Sequence, residues 1–84
     1  MRKPSRQMLG IVAKNIRFLR EMRNLSQEQL AEICDCHRTY VGSVERCERN
    51  VTLSTLETFA AAFRVSVTDL LTPNFGEKKQ KSRN

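Results

Sequence analysis

Apolar residues recur along this chain at spacings of three and four, and the alternation of a half-buried strand is nearly absent, so the body reads as helical. Residues 6–22 carry Val12, Ile16 and Leu19 on one inward stripe, with Ser5 placed as an N-cap and Arg17, Arg20 and Arg23 interrupting the pattern with charge. Asn24 then stands where a helix end favours a residue that tolerates the left-handed conformation. Ser26-Gln27-Glu28-Gln29 has the form of a capping box and opens a short second helix, with Leu30, Ala31 and Cys34 as its apolar face. Asp35 and Cys36 break that face, and residues 37–46 resume helical spacing at once. Thr52 is placed to cap a fourth helix with Leu53, Leu56, Phe59, Ala60 and Phe63 inward. Ser66-Val67-Thr68-Asp69 is a second capping box, opening a fifth helix that Pro73 stops. The pattern predicts an all-α, compact five-helix domain over residues 6–75, between a flexible N-terminus at 1–5 and a basic disordered tail at 76–84.

Two short helices joined by a tight turn form a helix-turn-helix, the motif that sets its second helix into the major groove of duplex DNA. Wound at about 100° per residue, the third helix gathers Arg38, Thr39, Gly42, Ser43 and Arg46 on one arc. Tyr40, Val41 and Val44 lie on the other side, with His37 among them. The polar arc carries what base edges require. Arginine can take the two acceptors of guanine, hydroxyls serve as donor or acceptor, and the threonine methyl can meet thymine. Arg38 and Thr39, at the start of this helix, lead the candidates. Gly42 costs about 1 kcal/mol relative to alanine inside a helix. Close approach to the groove floor and close packing against the second helix account for it equally well.

Composition sharpens this picture. The chain has 84 residues, room for one domain and a small core but not for an enclosed catalytic cleft, so an enzyme is not expected. Fifteen Lys and Arg against nine Asp and Glu give +6, a balance that favours a polyanionic partner. Domains this small often gain stability from a second subunit, so a homodimer is expected. There is neither an apolar run long enough to span a membrane nor an export signal, which implies a cytoplasmic protein with no membrane partner. The odd number of cysteines, Cys34, Cys36 and Cys47, argues against a disulfide framework.

The segments from Ser26 to Glu32, from His37 to Arg46 and from Glu48 to Leu53 resemble the phage-repressor, Cro-like (XRE-type) helix-turn-helix family. The run HRTYVGSVER followed by ERNVT is most similar to the controller proteins of restriction–modification systems. The resemblance covers about residues 9–73 and implies a lambda-repressor-like fold. It also implies a homodimer that binds palindromic operators upstream of its own gene and the endonuclease gene, with RNA polymerase as a further partner. Arg38, Thr39, Tyr40 and Ser43 would face bases, and Arg46 and Arg49 would reach groove or backbone. Gln27, Asn50 and Thr52 would hold phosphates. Arg20 would pair with Glu45 across the first and third helices. The dimer surface would form from the end of the fourth helix, the fifth helix and the segment after it. Where the family usually has glycine at helix ends, this chain has Asn24, Asp35, Cys47 and Arg64, positions that favour positive φ.

Rival readings stand beside these. Cys34-Asp35-Cys36-His37 with Cys47 invites a metal or redox site, but the spacing departs from zinc patterns, and Cys34 and Cys36 stand where small core residues fit; no metal or cofactor is expected. An antitoxin-type protein-interaction module or a generic phage-type repressor would keep the fold and change the task. RNA binding is disfavoured by the lack of paired aromatic stacking platforms.

Overall fold

The computed structural model describes residues 4–76, which form helices α1 (Arg6–Met22), α2 (Gln27–Ile33), α3 (Arg38–Glu45), α4 (Leu53–Phe63) and α5 (Val67–Leu70), with no strand among them. The expected end segments 1–5 and 76–84 fall largely outside the described residues. Of their described members, Ser5 caps α1, its hydroxyl accepting the Met8 amide at 3.1 Å, and Gly76 is buried.

The helix starts arise from local chemistry. Ser26 and Ser66 each take the amide three residues on, and the Gln29 and Asp69 side chains reach back to the cap amides, so both capping boxes form. Thr52 caps α4 through the Thr55 amide. The ends turn sharply on left-handed residues: Asn24, Asp35, Cys47 and Arg64 have φ of 56°, 54°, 64° and 58°. This satisfies the last carbonyls without the glycine such turns favour.

One core joins the helices. Ile16, Leu19, Leu30, Val41, Phe63 and Leu70 are fully buried, with Val12, Val44, Leu56 and Phe59 beside them. Each such side chain contributes roughly 1.5–3 kcal/mol of transfer free energy. Arg23 joins the ends of α1 and α4, donating to the Phe63 carbonyl at 2.7 Å while its guanidinium lies 5.3 Å from the Phe63 ring centre.

Two inward assignments are corrected. Leu53 is 73% exposed, standing at the first residue of α4, one turn before the buried stripe begins at Leu56. His37 is exposed and caps α3 rather than joining its apolar side. A polar residue takes an inward place instead: Asn15, on the core side of α1, is 1% exposed. Its amide donates to the carbonyls of Leu70 and Thr72 at 2.9 and 2.8 Å, and its oxygen accepts the Gly76 amide at 3.4 Å. The chain after α5 is thereby held against α1. A Cβ on Gly76 would lie 2.6 Å from the Phe18 ring, so only glycine allows that approach without a shift.

Candidate nucleic-acid interface

The α2–turn–α3 unit is positioned by a buried charge. Arg20 reaches from α1 to Glu45 at the end of α3 with two parallel bonds, Nε to Oε2 at 2.7 Å and Nη2 to Oε1 at 3.0 Å. Its Nη1 donates to the Leu25 carbonyl at 2.8 Å. The Gln27 amide, on the first residue of α2, donates to the same Glu45 oxygen at 3.0 Å. The Glu45 and Arg20 side chains are 4% and 12% exposed, so the pair is largely out of water and is stable only because its hydrogen bonds are made. The hydrogen bond to Glu45 is the main cause of an Arg20 pKa raised above the arginine norm. Three helices therefore meet at one carboxylate, which sets the angle at which α3 is presented.

Beside this tether lies an open depression of about 550 Å³, walled by Ser26, Gln27 and Glu28 on one side and Arg38, Thr39 and Arg46 on the other. Gly42 forms its floor. A Cβ there would stand 3.1 Å from Arg46 Nη1 and 3.3 Å from Gln27 Oε1, so the glycine makes room for side chains seated between α2 and α3. Packing against the second helix, one of its two sequence-level explanations, is what the geometry supports.

The side chains on the expected arc differ in access. Arg38, Thr39 and Arg46 are exposed, whereas Gly42 and Ser43 are buried. Ser43 is 8% exposed and donates its hydroxyl to the Tyr40 carbonyl at 2.9 Å. A helical wheel ignores the neighbouring helices, so it draws the free face of α3 too wide. Arg46 pairs with Glu48 at 3.2 Å, an exposed contact of small energetic weight. Tyr40 is half-buried; its hydroxyl lies 3.5 Å from Thr55 Oγ1, and Arg49 rests over its ring at 5.5 Å from the centre. That cation–π contact draws the Arg49 guanidinium toward α3. Asn50 is exposed in the loop before α4, and the Thr52 hydroxyl is occupied as a helix cap. Sequence reasoning missed the cap role of His37. The signal is present, since it directly precedes the first residue of α3, but histidine is not among the preferred capping residues.

Cys34 and Cys36 line one small cavity, but they do not form a metal site. Cys34 is buried, Cys36 half-buried and Cys47 exposed, and among the described residues no group of three His, Cys, Asp or Glu is placed to hold a metal. Burial, followed by the neighbouring Cys36, pushes the Cys34 thiol up to about 11, which makes it a poor nucleophile.

A capped helix, a tight turn and a second helix held by a buried ion pair define a helix-turn-helix protein, and the helix-turn-helix family profile matches residues 16–70. The chain belongs to this family. It is 64% identical to control protein C.SmaI of Serratia marcescens over 74% of each chain. Among solved structures it resembles the hypothetical transcription factor NHTF from Neisseria, with a TM-score of 0.79 at 37% identity, covering 98% of this chain and 93% of the other. The restriction–modification controller protein C.AhdI from Aeromonas hydrophila matches with a TM-score of 0.70 at 39% identity, covering 74% and 94%. No helix among the described residues is long and apolar enough to cross a membrane.

Proposed function

We propose that this protein is a sequence-specific, duplex-DNA-binding transcriptional regulator, the controller of a restriction–modification system, acting as a homodimer on palindromic operators upstream of its own gene and the endonuclease gene. The observation that carries the reading is the exposed start of α3, where Arg38 and Thr39 project beside the basic Arg46 from a helix whose angle is fixed by Arg20 and Glu45. The 64% identity to a control protein supports the same assignment. Two copies would set their α3 helices into successive major grooves about 34 Å apart. Half-buried Val65, Val67 and Leu71, packed at the edge of the core beyond the end of α4, supply apolar surface for the dimer contact.

In this reading Arg38 and Thr39 read bases directly, and Tyr40 approaches from the rim with Arg49 stacked on it. Ser43 contributes only if its buried hydroxyl is uncovered on docking. Gln27, Arg46, Asn50 and Thr52 line the path of the backbone. Phosphate contacts supply most of the affinity and its salt dependence. No bond is made or broken by the protein.

Selection from a pool of random duplexes tests the proposal. The expected product is a two-fold symmetric motif with half-sites about one helical turn apart, bound less tightly as salt rises. Enrichment of no motif would refute it and favour a protein-interaction role such as an antitoxin.

A further inference from the structure

The residue ahead of the reading helix determines which hydrogen-bonding sense Thr39 presents. His37 Nδ1 accepts the Thr39 backbone amide at 3.2 Å and lies 2.8 Å from the Thr39 hydroxyl oxygen. A ring nitrogen that faces an N–H donor at that distance cannot itself carry a proton, so the neutral ring bears its hydrogen on Nε2. The hydroxyl contact then has one consistent polarity: Thr39 donates to Nδ1, sharing the single ring lone pair with its own amide and taking the shorter of the two contacts. The Thr39 hydroxyl hydrogen is thereby used inside the protein, and the oxygen offers only lone pairs to whatever approaches from outside.

We infer that His37 is a positioning residue that makes Thr39 an acceptor-only reader. Resting on the DNA-binding reading above, this assigns Thr39 a base class. In the major groove the donors are the amino groups of adenine and cytosine, whereas guanine and thymine present carbonyl acceptors. Thr39 therefore favours an amino base over a keto base on the strand it faces. A free hydroxyl would turn to suit either, so without His37 the same threonine would discriminate little. Exposure of both residues leaves the oxygen accessible.

The test has two arms. The chain has one histidine, so its ring nitrogens are read without ambiguity in a nitrogen-15 spectrum of the free protein at about pH 9, above the ordinary imidazole range. A bare Nδ1 and a protonated Nε2 are expected; a protonated Nδ1 would overturn the inference. In the second arm, binding is measured to every single-base variant of the selected motif, and the Thr39 pair is located as the one whose preference Thr39→Val removes. Wild type should prefer adenine or cytosine there by about fivefold, the worth of one net hydrogen bond. His37→Ala should reduce that preference below about twofold, a larger change than at the other positions, which feel only the loss of the helix cap. His37→Asn, whose carbonyl can accept as the imidazole does and which is a good cap, should restore it. A preference for guanine or thymine, or one that His37→Ala leaves intact, would refute the assignment. A protein that enriches no motif at all refutes the DNA reading itself, and the nitrogen spectrum still reports separately on the tautomer.

Discussion

Two polar side chains of α1, five residues apart, are held inside the same small protein and do different work. Arg20 reaches Glu45 and fixes α3, the helix proposed to face DNA; Asn15 reaches Leu70, Thr72 and Gly76 and fixes the chain after α5. The first tether is charged and bidentate, with a third partner in Gln27. The second is a neutral amide with all three of its contacts on backbone. A charged fork holds one angle and is costly to break, because the surviving charge is left without a counterion in a poorly hydrated place. A neutral amide holds a loop with less at stake. α3 is thus the more tightly specified of the two regions, as the proposed docking into a groove requires.

Breaking the charged tether should have the largest effect. Arg20→Met retains the aliphatic stem but strands Glu45, and an equilibrium urea titration should show a loss of about 3 to 5 kcal/mol. Asn15→Ala should cost less, about 1 to 3 kcal/mol, from unpaired Leu70 and Thr72 carbonyls. It also sharpens the comparison: sedimentation should show a weaker dimer, while the base preferences of the folded dimer remain. If Asn15→Ala altered those preferences, the separation of the two regions would fail.

Gly42→Ala probes the space between α2 and α3. Helix propensity gains about 1 kcal/mol, and the neighbours that must move are the flexible ends of Arg46 and Gln27, so stability should change little. DNA affinity should fall about fivefold as those ends are displaced, a change equivalent to one net hydrogen bond, measured by titration of labelled duplex. Arg64→Gly, at the end of α4, should raise stability by roughly 0.5 to 1 kcal/mol in the same urea titration by relieving the left-handed strain at φ 58°.

Much of this architecture is legible in the residues alone, for physical reasons. Capping boxes are local, so Ser26 and Ser66 announce α2 and α5 from four residues each. The turn positions are equally plain, and Asn24, Asp35, Cys47 and Arg64 all adopt positive φ. The Arg20–Glu45 pair comes from family resemblance, since no local pattern links residues 25 apart. The features that escape such reading are decided by neighbouring elements. Asn15 sits three residues after Val12 on the core side of α1, yet nothing local shows that carbonyls of a distant segment wait for it. Gly42 and Ser43 lie on the polar arc of an isolated α3 yet are buried, with the Gln27 side chain of α2 and Arg46 close over Gly42 and the Ser43 hydroxyl turned back to the Tyr40 carbonyl. Leu53 belongs to the apolar stripe of α4 but stands one turn before its buried part begins at Leu56.

The central claim is that the exposed start of α3 reads duplex DNA as a regulator's operator. Footprinting on the region upstream of the protein's own gene, with Arg38→Ala alongside the wild type, tests it most directly. The account predicts a protected palindrome for the wild type that Arg38→Ala no longer protects; absence of protection, or an identical footprint in the variant, would contradict it.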